Sequence, residues 1–328
     1  MLRVFGAPSR YLQGANALAE MGPYLSHIGK RASLVTDQIV MDLLGTRVQQ
    51  VCAAADVKCE LLMFSGDIVP AEIERLSALA RAQHPDFVIS AGGGKGIDAG
   101  KAVAHALDMP VVTIPIAASN DAPTSKNYVL YDEHHRLLRA GHMKRNPEAV
   151  VIDTEIIINA PLRMLTAGIG DAIVKEFEVA QCIGAGGPNM FGAAACQAAA
   201  ALSELCYSTL RAHAVGALAA VKTKAIDEDF ERVVEAAVLL SGLAFESGGL
   251  SIAHAMTRGL SAVRGARDAL HGHQVAYALL VQLALERRPA ELIDDIAAFY
   301  QEVQLPTSLA ALGLAQPTEA ELRTIAEQ

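Results

Sequence analysis

The sequence predicts an α/β N-terminal domain on a parallel sheet, residues 1–160, followed by an all-helical C-terminal domain, residues 161–328. Three observations lead there. The first half alternates short β-rich runs with helical patterns, and such alternation pairs strands in parallel through right-handed crossovers. Past AVVIDTEIIINAP the strands give way to long helical runs. The composition agrees: 52% of the 328 residues are apolar but only 5% aromatic, with no Trp. Ala, Val, Leu and Ile must then fill the core, which favours a helix-rich or α/β protein over an aromatic-rich β-sandwich.

The elements follow in order. RASLVTD (31–37) reads as a buried strand ending in an acid, IVMDLLGTRVQQVCAAA as a helix and VKCELLMF as a strand. PAEIERLSALARAQ is a helix with Pro70 near its start, where the ring's fixed φ suits the first turn. PDFVISAGGG runs from a strand into glycines, KGIDAGKAVAHALD is a helix, and MPVVTIPIA is another strand. VLYDEHHRLLRAG resembles a hairpin around a polar turn. In the second half, the Ala-rich segment 191–220, DFERVVEAAVLLSGLAF and HGHQVAYALLVQLALE carry helical periodicity. The chain stops at EAELRTIAEQ without a winding-down composition, as a chain shortened by a C-terminal segment would.

Charge and cysteine content exclude several classes. Lys and Arg total 27 against 36 Asp and Glu, a net charge of −9. An acidic chain without a basic run is a poor nucleic-acid binder. The longest uncharged stretch, Val179 to Ser203, is Ala-rich and broken by Gly-Ala-Gly-Gly-Pro-Asn. It lacks the ~20 strongly apolar residues of a membrane span. The N-terminus shows neither the apolar core nor the cleavage site of a signal peptide. The five cysteines, at 52, 59, 182, 196 and 206, are odd in number and show no CxxC spacing. Free thiols and a cytoplasmic location are expected.

The sharpest local signal is AGGGKGIDAGK, residues 91–101. Glycines after a strand and at a helix start present backbone N–H groups and the positive helix end to an anion, and a phosphate or pyrophosphate fits there. The same turn also serves as a plain strand–helix connection. Lys95 and Lys101 are candidates to add positive charge. The sheet is expected to be Rossmann-like, but without the usual fingerprint: no GxGxxG occurs, and the acid-ended strand precedes the glycines. Asp37, at the end of that strand, suits an adenosine ribose and equally a helix N-cap.

A second constellation joins GIGDAIVKEFE, SGGLSIAHAMTRGL and LHGHQVAYALL. Asp171 follows Gly168 and Gly170 at an apparent helix start, while His254 and His271 fall on what read as two neighbouring helices. One carboxylate and two imidazoles make a three-ligand metal set with an open position. The spacing alone equally permits a helix cap and two core histidines. His273 is a candidate proton relay by its residue type.

GGGKGIDAGK, AASNDAPTS, AGIGDA, FESGGLSIAHAMTRGL and HGHQVAYALLVQ, in this order, resemble the glycerol dehydrogenase branch of the iron-containing (group III) alcohol dehydrogenases. The likeness runs almost the whole length, from YLQGANAL onward. It implies an N-terminal dinucleotide-binding domain, a helical C-terminal domain, an active site in the cleft between them, and a homo-oligomer, commonly an octamer. It implies NAD as cofactor, and zinc or another divalent metal held by Asp171, His254 and His271. It places Asp37 on the adenosine ribose, and Gly93, Gly94 and Lys95 with Asp98 in the pyrophosphate turn. Ser125 and Tyr131 would line the nicotinamide side, and Asp121 would meet the hydroxyls of a small alcohol or polyol substrate.

The chain departs from that pattern at several positions. Ile116 and Asn120 stand at two Thr positions, and Lys126, Asn127 and Tyr128 replace small or apolar residues. His273 stands where a Glu often follows the ligand His-Gly. Lys175 occupies the place of a second histidine ligand in the iron enzymes, which points to three protein ligands. The SND run and Lys175 also resemble the glycerol-1-phosphate dehydrogenases. A dehydroquinate-synthase-like lyase that uses NAD transiently is a further alternative, although that family binds its metal with a Glu in place of Asp171.

Overall fold

The computed structural model describes residues 2–133 and 137–327. It divides into two compact units: Ala7–Ala117 with Ala122–Ala160, and Pro161–Gln328 with Met1–Gly6 and Ala118–Asp121. Residues 2–6 and 118–121, which the sequence reading keeps with the sheet, pack with the helices. Asn189 holds the first of these segments, donating from its amide to the carbonyls of Val4 and Ser247, each at 2.9 Å.

In the α/β unit, strands β1 (Tyr11–Gly14), β2 (Arg31–Thr36), β3 (Lys58–Met63), β4 (Phe87–Gly92) and β5 (Val111–Pro115) lie before a hairpin of β6 (Asn127–Tyr131) and β7 (Leu137–His142); β8 (Ala149–Asp153) follows it. Six of these form one wholly parallel sheet in the order β1-β8-β5-β4-β2-β3. The sequence reading assigns no strand to β1 or β8. β1 is short and lies in a polar stretch without a run of β-formers, whereas β8, AVVID, is a buried apolar run of the same length as β5. The expected hairpin is present as the antiparallel pair β6 and β7. Residues 134–136 of its turn lie outside the described residues.

Helices α1 (Gly22–Ile28), α2 (Gln38–Val40), α3 (Thr46–Ala54), α4 (Pro70–Gln83) and α5 (Gly94–Leu107) lie between the strands, and α6 (Thr154–Ile157) follows β8. Both faces of the sheet are covered. Phe87, Ile89 and Ala91 of β4 enter one apolar cluster with Leu44 and Val48, while Val88 enters the other with Leu76, Ala99 and Val103. Burial on both faces is why the strands read as continuous apolar runs rather than alternating ones. The strand order reverses between β2 and β4. Ligands of open α/β sheets bind outside the carboxyl ends of the strands at such a switch point, and here those ends carry Asp37 and Gly93.

The helical unit contains α7 (Leu162–Ile173), α8 (Lys175–Gly184), α9 (Gln197–Thr223), α10 (Glu228–Glu235), α11 (Ser241–Gly248), α12 (Ile252–Ala262), α13 (His271–Leu285), α14 (Ala290–Glu302) and α15 (Glu319–Glu327). A π-type stretch, Ala236–Leu240, joins α10 to α11. The Ala-rich segment starts its helix only at Gln197, since Gly192 holds a positive φ of 68° before it. Among the described residues no single helix is long and apolar enough to cross a membrane.

Candidate active site

The helical unit brings Asp171, His254 and His271 together. One ligand atom from each lies within 4.8 Å of the other two. Asp171 Oδ1 stands 3.2 Å from His254 Nε2 and 4.0 Å from His271 Nε2. Asp171 is not at a helix start. It is the third-last residue of α7 and is buried, so it does not cap the start of that helix. Gly168 and Gly170, read as marks of that start, are instead points of close approach inside α7. A Cβ on Gly168 would lie 2.0 Å from the Ala118 carbonyl, and one on Gly170 would lie 2.5 Å from the Gly272 carbonyl. The reciprocal contact is tighter still, with a Gly272 Cβ 1.8 Å from the Ala167 carbonyl. These glycines let α13 and residues 118–121 lie directly on α7, which sets His271 and Asp121 beside Asp171.

Lys175 and Glu178 complete the cluster. Val174 keeps a right-handed helical conformation between α7 and α8, so Asp171, Lys175 and Glu178 fall at i, i+4 and i+7 on one face. Glu178 is fully buried. It accepts the backbone N–H of Ser251 and of His254, each at 3.0 Å, and the ring Nδ1–H of His254. That bond leaves Nε2 as the nitrogen facing Asp171. The Lys175 ammonium is 1% exposed and lies 2.8 Å from Asp171 Oδ1, 3.2 Å from Asp121 Oδ2 and 3.2 Å from His254 Nε2. Burial alone would lower its pKa, but Asp121 and Asp171 outweigh that and keep it charged. Burial alone would raise the Asp171 carboxyl. The Lys175 ammonium and the His254 bond hold it well below the usual range instead.

Asp121 reaches this group because residues 118–121 pack with the helices. Its Oδ2 accepts from Ser241 Oγ at 2.5 Å, at the point where the π-type stretch enters α11. His273 lies elsewhere in the contact pattern. Its Nε2 is 2.9 Å from Thr166 Oγ1, whose own hydrogen goes to the Arg163 carbonyl. Nε2–H therefore donates to Thr166, tying α13 to α7, and burial lowers the ring's pKa. This committed bond leaves His273 no evident relay role.

Sequence reasoning named Lys175 as a departure without its contacts, and passed over Glu178 and Ser241. The signal for Glu178 is in the sequence: Asp171, Lys175 and Glu178 recur at i, i+4 and i+7 in a largely apolar run.

The α/β unit carries a second candidate site at the carboxyl ends of β2 and β4. Asp37 caps α2, accepting the Val40 N–H at 2.9 Å. Gly93 precedes α5 with an ordinary φ of −73°, and a Cβ built on it meets nothing within 4 Å. Neither conformation nor packing requires glycine at 93. Its neighbours differ: a Cβ on Gly92 would lie 3.1 Å from Gly96 Cα, and one on Gly100 would lie 2.2 Å from Ser90 Oγ. Gly94 opens α5, and exposed Lys95 lies 4.0 Å from Asp67. Asp98 is buried, and its carboxylate accepts the Val129 N–H at 3.0 Å, joining α5 to β6. Ser125 is buried, and its Oγ accepts the Asn127 N–H at 3.3 Å. Tyr131 is half-buried, its N–H on the Ile68 carbonyl at 3.0 Å. Lys101, two turns into α5, is buried against the carbonyls of Ala122 and Asn127. It anchors that segment and does not serve the glycine turn.

Residues 8–154 match the sequence profile of the iron-containing alcohol dehydrogenases. The chain is 41% identical over 322 residues to glycerol dehydrogenase of Thermotoga maritima, covering 98% of this chain and 88% of that protein. It is 39% identical over 327 residues to glycolaldehyde reductase of Halobacterium salinarum, covering 100% of this chain and 90% of that protein. Among solved structures, a probable glycerol dehydrogenase from Sinorhizobium meliloti superposes with a TM-score of 0.94 at 36% identity, covering 99% of this chain and 90% of that one. The chain is an alcohol or polyol oxidoreductase, and it belongs to the glycerol dehydrogenase branch of the iron-containing alcohol dehydrogenase family.

Proposed function

We propose that the protein is an NAD- and divalent-metal-dependent dehydrogenase that interconverts small vicinal diols or polyols with the corresponding hydroxycarbonyl compounds. The observation that carries this is the convergence of one carboxylate and two imidazoles within 4.8 Å. The donor chemistry fits a divalent ion: two nitrogens and one oxygen suit zinc, with manganese, cobalt or iron as substitutes. The α/β unit fits a dinucleotide, because the open space over Gly93 at the N-terminus of α5 is what close approach of a pyrophosphate needs.

When bound, the ion supplies Lewis acidity at the substrate oxygen and the nicotinamide exchanges hydride with the substrate carbon. The protein's part is to hold and orient. Asp171, His254 and His271 would hold the ion, and Glu178 fixes the tautomer that turns Nε2 of His254 toward it. Asp121, kept in place by Ser241, would accept a substrate hydroxyl. Asp37 would accept the ribose hydroxyls, and Gly93, Gly94 and Lys95 would receive the pyrophosphate. Ser125, Tyr131 and Asp98 would support the nicotinamide side and the turn through the bonds described above.

Lys175 bears on the phosphorylated-substrate alternative. It is buried and shared among Asp171, Asp121 and His254, so it offers a substrate phosphate no partner. A non-phosphorylated polyol is therefore favoured. The five free cysteines support a reducing, cytoplasmic setting, and a homo-oligomer is proposed from the family.

The test is a panel of glycerol, 1,2-diols, glycolaldehyde, hydroxyacids and glycerol-1-phosphate, scored by NADH absorbance, with metal counted in the purified protein. Net NAD reduction with diols and one divalent ion per chain is expected. His254→Ala and His271→Ala should lose metal and activity together, since an incomplete set cannot retain the ion. Stoichiometric metal in both variants would refute the ligand assignment, and product formation without net NADH would favour the lyase reading.

A further inference from the structure

The Lys175 ammonium engages the same two atoms that the proposed metal site uses, and the inference drawn here rests on that site. Nζ donates to Asp171 Oδ1 at 2.8 Å and stands 3.2 Å from His254 Nε2. A neutral imidazole has one acceptor nitrogen, and the other nitrogen of His254 is committed to Glu178. Nε2 is therefore the nitrogen that His254 can turn to an ion, and the ammonium stands against it while holding the Asp171 oxygen that the ion would share. Nζ also lies 3.2 Å from Asp121 Oδ2, which is outside the three-residue donor set. The Phe245 ring stands 5.5 Å from Nζ and adds a further favourable surface for the cation. At 1% exposure the charge is poorly screened.

We propose that Lys175 is an internal competitor for the metal ion. It withdraws from His254 Nε2 toward Asp121 when the ion enters, and so holds the metal affinity below that of the unopposed Asp171–His254–His271 set. Charge count points the same way. Asp121, Asp171 and Glu178 surround Lys175 with three carboxylates. A divalent ion brings this buried group to neutrality with Lys175 present, and without Lys175 would leave one negative charge to attract it further. The role assigned to Lys175 is that of a positioning and affinity-setting residue that makes no contact with substrate.

The experiment is a zinc titration of metal-stripped protein against a chromophoric chelator, for the wild type, Lys175→Met, Asp121→Asn, the double variant and His254→Ala. Lys175→Met keeps the stem and removes the charge, and its zinc dissociation constant should fall by about tenfold or more. Unchanged or weaker zinc binding by folded Lys175→Met overturns the proposal. Asp121→Asn takes away the ammonium's second seat and should weaken zinc binding, by less in the Lys175→Met background. If Lys175→Met does not fold, Asp121→Asn alone decides, and unchanged or tighter binding there overturns the proposal. Zinc binding that survives in His254→Ala refutes the metal site itself. Loss of zinc in His254→Ala beside unchanged affinity in Lys175→Met refutes only the competitor role.

Discussion

Glu178 binds His254 twice, taking its backbone N–H on Oε1 at 3.0 Å and its ring Nδ1–H on Oε2. The backbone bond fixes where α12 begins, and the ring bond fixes which nitrogen carries the proton. Glu178→Gln is expected to reverse the second. An amide N–H can donate to Nδ1, and the ring proton then moves to Nε2, the atom that faces Asp171. Metal affinity should fall about 10- to 100-fold, read by chelator competition. An unchanged dissociation constant would show that Glu178 serves only the backbone.

The contact between α13 and α7 gives the second prediction. Gly272 leaves no room for a side chain, with the Ala167 carbonyl 1.8 Å from a built Cβ. Gly272→Ala must part the helices or distort them, costing about 1–3 kcal/mol of stability. It also moves His271 away from Asp171, so metal content should drop even in protein that melts cooperatively. A melt and a metal determination on one sample check both effects.

Two glycines of the β4–α5 turn should respond oppositely. Gly93→Val fills open space and leaves the fold standing, so thermal stability should hold while NAD affinity falls at least about tenfold. Gly100→Val drives a side chain into Ser90 and should lower stability first. Normal NAD affinity in folded Gly93→Val would make this turn a purely structural one.

Asp37 should set the cofactor preference. Its carboxylate would repel a 2′-phosphate and accept from a free 2′-hydroxyl, and VTDQIVMD supplies no Lys or Arg. Because Asp37 also caps α2, the informative variant is Asp37→Ser, which keeps a capping oxygen and removes the charge. The ratio of kcat/KM for NAD over NADP should narrow with little change in melting temperature. Equal efficiency with both cofactors in the wild type would remove the role.

His273→Ala separates tie from relay. The Thr166 bond predicts a modest stability loss of about 1 kcal/mol, with metal content and the pH profile of activity unchanged. A shifted pH profile would return His273 to the reaction.

Much of this protein is determined by local sequence. The helix at 70–83 follows from Pro70 at its start and its apolar spacing, and the β2, β4 and β5 strands from runs buried on both sheet faces. The glycine turn could be read because strand, glycines and helix come in a fixed order. Asp171, His254 and His271 could be named through family likeness, because their motifs are short and local.

What needed tertiary structure was whatever depends on distant segments meeting. β1 is a strand because it pairs with β8, and no local propensity marks Tyr11–Gly14. Asp171 looked like a cap because glycines usually break helices, yet Gly168 and Gly170 sit inside α7 where Ala118 and Gly272 press against it. Lys175 looked like a substituted ligand position, and only the packing of residues 118–121 and α12 around it shows an ammonium shared by two carboxylates and an imidazole. Sequence sets what each residue can donate, accept or bury. Which donor faces which acceptor is decided by how closely the backbones approach, and that is a property of the packed chain.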